Sequence, residues 1–199
     1  MCLPFRIDDH RLRNDMHAFH RLATAIVFAL LVTACSAPSP ESVESTGVPV
    51  DTSAPSATLD AIDGAEQKSI RAYHGMWGAY VDAAASSDWR SPQLSRFATG
   101  TALTTLTQGL HTASDKGLVS RGQPVLHPSV ISVEPKDAPT KAIVTDCGDS
   151  TAWTQQRVDN GIPADEEPSG RRRINAIVEK QVDESWKVVD FGVHEVGSC

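Results

Sequence analysis

The chain changes its period once, at Leu118, and that change limits the possible fold more than any other feature. Ahead of it the apolar residues fall at helical spacing. Over residues 60–87, Ile70, Tyr73, Trp77, Tyr80, Val81 and Ala84 form an amphipathic stripe. Gly75 and Gly78 interrupt it, each costing about 1 kcal/mol against Ala, which suits the close approach of another element. Ser91-Pro92 opens a short helix running to Phe97 or Ala98, with Ser91 as cap and Pro92 at the first helical position. A third helix, residues 101–114, carries Leu103, Leu106 and Leu110, and Gly117 stops it.

Past Leu118 the pattern is that of strands. Candidate segments are 118–124, 125–134, 141–147, 153–158, 172–182 and 185–196, separated by Pro- and Gly-bearing breaks and by Asp183-Glu184. The last two are rich in β-branched and aromatic residues, and the Asp-Glu connection predicts a two-residue antiparallel hairpin. The acidic loop 159–170, with Pro163 and Pro168, is long for a hairpin and is expected to be mobile. Helices followed by a run of antiparallel strands define an α+β domain over residues 60–199, its helices covering one face of a curved sheet.

The N-terminal part reads as an address. Residues 22–34 are an apolar run behind Arg21, right for a signal-peptide core and short of the roughly 20 residues that span a bilayer. The run ends in Val32-Thr33-Ala34-Cys35, which resembles the lipobox of bacterial exported lipoproteins, with Val at a position where Leu is commoner. The resemblance implies that residues 1–34 are a signal peptide and that Cys35 is the lipidated first residue of the mature chain, with a palmitate-type anchor. It places the protein on the outer face of the cytoplasmic membrane. Buried acyl carbons contribute about 0.8 kcal/mol each, and stable anchoring takes more than one chain. The residues alone leave an ordinary signal peptide with a chance cysteine as the alternative. Residues 1–15 carry Asp8, Asp9 and Asp15, so Met16 reads as the true start of the leader. Residues 35–59, rich in Ser, Pro, Thr and Ala without apolar periodicity, form a disordered linker.

Composition narrows the partners. The formal charge is −7, and the chain from Cys35 onward is more acidic still, which argues against nucleic acid. Arg171-Arg172-Arg173, the one basic block, reads as a solvated strand entry. With Cys2 in the discarded segment and Cys35 acylated, Cys147 and Cys199 remain, and in an oxidising compartment they are expected to pair. No CxxC or His-rich spacing suggests a metal.

The order of elements, with Tyr73 and Trp77 on the long helix and Gly122-Gln123-Pro124 entering a strand, resembles the NTF2-like (cystatin-like, SnoaL-like) cone. More narrowly, Val144, Asp146, Cys147, Asp149 and Trp153, followed by Trp186-Lys187-Val188 and Cys199, look like the cone of small actinobacterial secreted lipoproteins. That fold hosts enzymes and binding modules alike. Its isomerase and dehydratase members imply an Asp or Asp/His base inside the cone; Tyr73, Tyr80, Asp82, Asp88 and His111 are the residues that could face it, and none maps onto an enzyme motif. Asp146 and Asp149 read as turn residues beside Cys147. No GxSxG, HExxH, P-loop or GxGxxG is present, and His74, His111, His127 and His194 lack a carboxylate or second His at ligand spacing. No catalytic residue and no cofactor is therefore assigned. Tyr73, Trp77, Tyr80, Trp153 and Trp186 are candidates to line a cavity, with core packing as the plainer reading. The expected function is that of a membrane-anchored, non-enzymatic domain binding an envelope partner or a small apolar ligand. The alternative is a small isomerase, dehydratase or hydrolase of the same fold.

Overall fold

The computed structural model describes residues 54–164 and 169–199. The expected signal peptide, Cys35 and the expected linker up to residue 53 lie outside the described residues, as does the middle of the 159–170 loop.

Helix α1 spans Ala54–Ala84, 31 residues, beginning ahead of residue 60, so the end of the expected linker is helical. Alanine, the best helix former, also sets which face turns inward. Tyr73, Trp77 and Ala84 of the expected stripe are buried together with Ala65, Ser69, Ala72, Met76, Ala79 and Ala83, whereas Ile70, Tyr80 and Val81 are only half-buried at its flank. Small side chains along this seam let the helix lie close to the sheet. The helix ends in a Schellman motif, with the Asp88 N–H donating to the Ala83 carbonyl at 2.9 Å and the Ser87 N–H to Ala84. Ser87 takes the left-handed position usually held by glycine, at φ 52°; its hydroxyl donates to the Leu118 carbonyl, tying the helix end to the first strand.

Helices α2 (Leu94–Phe97) and α3 (Gly100–Asp115) follow. Gly75 is where α2 meets α1: a Cβ there would run into the Phe97 ring. The other glycine of the pair differs, since Gly78 faces open space.

The strands are β1 (Leu118–Arg121), β2 (Ser129–Glu134), β3 (Lys141–Asp149), β4 (Thr154–Arg157), β5 (Arg171–Lys180) and β6 (Trp186–Val193). An antiparallel sheet has the order β2-β3-β5-β6, and β1 pairs with β4 in a second, two-stranded sheet. Two strands are shorter than expected. Strand β1 stops at Arg121 because Gly122 turns at φ 77° with the Ala152 carbonyl so close that no side chain fits. The segment before β2 carries Pro124 and Pro128, which cannot donate to a ladder; its backbone pairs with the sheet at the Val125–Asp149 bridge. The last hairpin also differs from expectation. Gln181 N–H donates to Ser185 at 2.7 Å and Glu184 N–H to Gln181 at 3.0 Å, so the loop is three residues, 182–184. Its third, Glu184, has φ 66°, and three-residue loops require such a left-handed residue.

Alternation along β3 decides the layers. Ala142, Val144 and Asp146 are buried with Ile174, Ala176 and Val178 of β5 and Val188 of β6, and this face packs on α1. The domain is thus α+β, with N-terminal helices packed on one face of an antiparallel sheet. Cys147 and Cys199 form a disulfide, Cα–Cα 5.9 Å, across 52 residues of chain, and fasten the C-terminus to β3.

Candidate functional site

Asp146 is the one acidic side chain among the buried residues. Alternation on β3 points it at α1, and it is not the turn residue that its place beside Cys147 suggested. The Tyr73 hydroxyl donates to Oδ2 at 3.0 Å, and the His127 backbone N–H donates to Oδ1 at 2.8 Å. The carboxylate therefore joins helix, sheet and the loop ahead of β2. Tyr73 is 0% exposed. Burial first, then the charge of Asp146, pushes its phenol pKa far above the ordinary tyrosine range; the nearby Trp77 indole acts in the opposite sense without reaching hydrogen-bond geometry. Asp149, by contrast, is a turn residue. The Thr151 hydroxyl and N–H donate to it at 2.6 and 2.9 Å and hold its pKa below the usual carboxylate value.

Around this clamp the space between helix and sheet is occupied by rings. Trp77 packs edge-on against Tyr73, Tyr80, Trp153 and Phe191, with centroids 5.9 to 6.4 Å apart, and Tyr80 meets Trp153 at 5.6 Å. The buried indole N–H groups of Trp77 and Trp153 find no hydrogen-bond acceptor among the described residues. The structure thus brings Tyr73, Trp77, Tyr80 and Trp153 together. Trp186 is buried elsewhere, opposite Lys180 at the hairpin end of the sheet.

Two grooves follow one flank of α1. The larger, about 540 Å³, is lined by Glu66, Gln67, Ile70, Arg71, Pro128 and Val130 among others. The smaller, about 200 Å³, is lined by His74, Trp77, Gly78, Val81, Pro124 and Leu126 among others. Set end to end along roughly 22 Å of helix, from Glu66 to Val81, the two grooves are together called the α1 trough. Its lining mixes apolar side chains, Ile70, Val130, Val81 and Leu126 among them, with Glu66, Gln67, Arg71 and His74. Sequence reading missed it because most of the opposite wall is the irregular 123–128 segment, which carries no periodic signal and leads into β2.

The remaining candidates do not converge. Asp82 and Asp88 are exposed, and Asp88 accepts from the Arg90 N–H at 3.1 Å in a turn. His111 does have a carboxylate at helical spacing, contrary to the expectation: Asp115 lies 2.9 Å away, and Trp89 packs on the imidazole at 4.9 Å. The pair is solvent-exposed on α3 and remote in sequence from the clamp. His194 approaches Asn175 at 3.1 Å. Among the described residues no three His, Cys, Asp or Glu side chains come together as a metal site.

No protein-family model and no curated protein matches the chain. Two solved structures are similar in outline. The intermembrane space region of chloroplast protein ARC6 aligns at 16% identity and a TM-score of 0.41, over 65% of this chain and 95% of that one. A ketosteroid isomerase-like protein from Erwinia carotovora atroseptica SCRI1043 aligns at 13% identity and 0.32, over 67% and 92%.

Proposed function

We propose that this chain is an exported lipoprotein, held on the outer face of the cytoplasmic membrane through Cys35. Its folded domain is an NTF2-like, non-enzymatic module that binds an envelope protein along the α1 trough. The observation that carries the reading is the use made of Asp146. A cone enzyme needs a carboxylate or His that substrate and water can reach. Here the interior carboxylate is 4% exposed, with each oxygen already accepting a hydrogen bond from the protein, and rings fill the space beside it. The α1 trough offers a concave surface instead, with apolar side chains set among charged and polar ones, a mixture that suits a protein partner.

Photo-crosslinking tests this. Benzoylphenylalanine placed at Gln67 or His74 on the trough should give a discrete adduct with an envelope protein in cells. The same probe at Val182, on the fully exposed hairpin tip, should not. Adducts with a small apolar molecule alone, or equal labelling from Val182, would refute the partner reading. The anchor is tested separately: Cys35→Ala should abolish acylation and cleavage before residue 35, and a variant that still incorporates labelled fatty acid would refute the lipobox.

A further inference from the structure

The one basic block of this acidic chain, Arg171-Arg172-Arg173, does more than open a strand. Antiparallel pairing sets Arg173 of β5 directly opposite Cys147 of β3, and Arg171 opposite Asp149. Residues opposite one another share a face of the sheet, so Arg171 and Arg173 flank Cys147 on the side away from α1. Arg171 reaches the sulfur: its Nε–H donates to Cys147 Sγ at 3.3 Å. Among the described residues neither Arg171 nor Arg173 forms an ion pair. Asp149, the acid across from Arg171, accepts from the Thr151 hydroxyl and N–H at 2.6 and 2.9 Å instead.

The other sulfur has different surroundings. Cys199 is exposed and ends the strap 194–199 that follows β6. Apart from the disulfide, surface hydrogen bonds hold this strap to β5. The His194 N–H donates to the Arg173 carbonyl at 2.9 Å and the Gly197 N–H to the Arg171 carbonyl at 2.8 Å. The Arg173 N–H donates to the Ser198 hydroxyl at 2.8 Å, and the Arg172 guanidinium to the His194 carbonyl at 3.4 Å. Residues 194–197 are exposed, so the strap can lift from the sheet by local opening, without the core unfolding.

Thiol–disulfide exchange depends on which sulfur is reached and on which leaves as the better thiolate. A cation beside a cysteine stabilises its thiolate. Here access belongs to Cys199 and thiolate stabilisation to Cys147. We infer that the Cys147–Cys199 bridge is a directional thiol-exchange site, at which an external thiol attacks Cys199 and Cys147 leaves. The incoming thiolate forms an S–S bond to Cys199 Sγ, the bond to Cys147 breaks, and its electron pair stays on Cys147 as a thiolate between two guanidiniums. One disulfide is consumed and one is formed. With a dithiol, the second sulfur then attacks the mixed disulfide. Cys199 leaves as a thiolate and takes up a proton, and two electrons have passed from the dithiol to the protein. The strap is then free, and the Arg171 and Arg173 carbonyls that it covered are open to solvent. This site is independent of the α1 trough and of the partner proposed there.

The test uses the full chain with Cys2→Ser and Cys35→Ser, which leaves the bridge as the only cysteines. Reduced glutathione is added to the native protein, samples are quenched in acid over time, free thiols are blocked with N-ethylmaleimide, and the peptides are weighed. Early samples should carry glutathione on Cys199 and N-ethylmaleimide on Cys147, about tenfold over the reverse. In guanidinium chloride the preference should vanish. Arg171→Gln with Arg173→Gln should slow native opening about tenfold, and lysine at both positions should restore most of the rate. If the glutamine pair does not fold, the native and denatured products of the parent chain still decide. Glutathione equally or mainly on Cys147, the same preference in denaturant, a rate indifferent to the glutamine pair, or no exchange short of global unfolding would each overturn the inference.

Discussion

Tyr73→Phe isolates the clamp on which the interior is built. The ring stays and no cavity forms; only the hydroxyl is lost. Asp146 Oδ2 is then left without its 3.0 Å donor at a site 4% exposed. A hydrogen bond to a charged group contributes about 1.5–3 kcal/mol, so about 2 kcal/mol should be lost. For a domain of this size that lowers Tm by roughly 7 °C. Asp146→Asn should be milder, below about 1 kcal/mol, because an amide can accept from His127 and donate to the Tyr73 oxygen. The loss also has a pH signature. The folded pKa of Tyr73 is raised, while the unfolded phenol titrates near 10. Above that pH the unfolded chain releases a proton that the folded chain keeps. The tyrosine's contribution is therefore complete below about pH 10 and falls above it by about 1.4 kcal/mol per pH unit. Thermal unfolding of wild type and Tyr73→Phe between neutral and alkaline pH, with phenolate absorbance read in a Tyr80→Phe background, measures both effects. A Tyr73→Phe loss within about 0.5 kcal/mol, as for a surface substitution, or a native Tyr73 that ionises near pH 10, would refute the buried clamp.

Three further outcomes follow from the same geometry. Cys147→Ser opens a 52-residue loop, and chain entropy predicts a loss of about 4 kcal/mol; denaturant unfolding should show it, with Cys199 newly titratable by a thiol reagent. Gly75→Ala drives a methyl into the Phe97 ring, so an overpacking cost of about 1–3 kcal/mol should meet or exceed the roughly 1 kcal/mol gained in helix propensity. Gly78→Ala meets nothing within 4 Å and should stabilise the domain by up to about 1 kcal/mol, narrowing the trough as it does so; the pair of melting temperatures should straddle wild type.

The order of elements was legible because the chain switches cleanly from helical spacing to β-branched segments, and the Cys147–Cys199 pairing because the other two cysteines had other assignments. Register was not legible. Whether Asp146 faces core or solvent depends on which of two alternating faces of β3 packs on α1, and its neighbours Cys147 and Asp149 lie on the opposite one. Tyr73, Trp77 and Ala84 of the stripe on α1 face inward as expected, but the buried face reaches beyond it, because alanines such as Ala65, Ala72 and Ala79 are buried too and are weak signals of burial in a sequence. Trp186 was grouped with Trp153 by residue type, whereas strand pairing sets it at the hairpin end. The trough required tertiary structure, since one of its walls has no regular pattern.

Hydrogen exchange at the His127 amide tests the central claim most directly. That N–H lies outside any ladder and is held by Asp146 Oδ1 at 2.8 Å, so its protection reports whether water reaches the interior carboxylate. A filled interior predicts exchange as slow as that of the β3 amides, through global unfolding. Fast exchange through local opening, suppressed when a small molecule is added, would show a working cavity around Asp146 and contradict the surface-binding account.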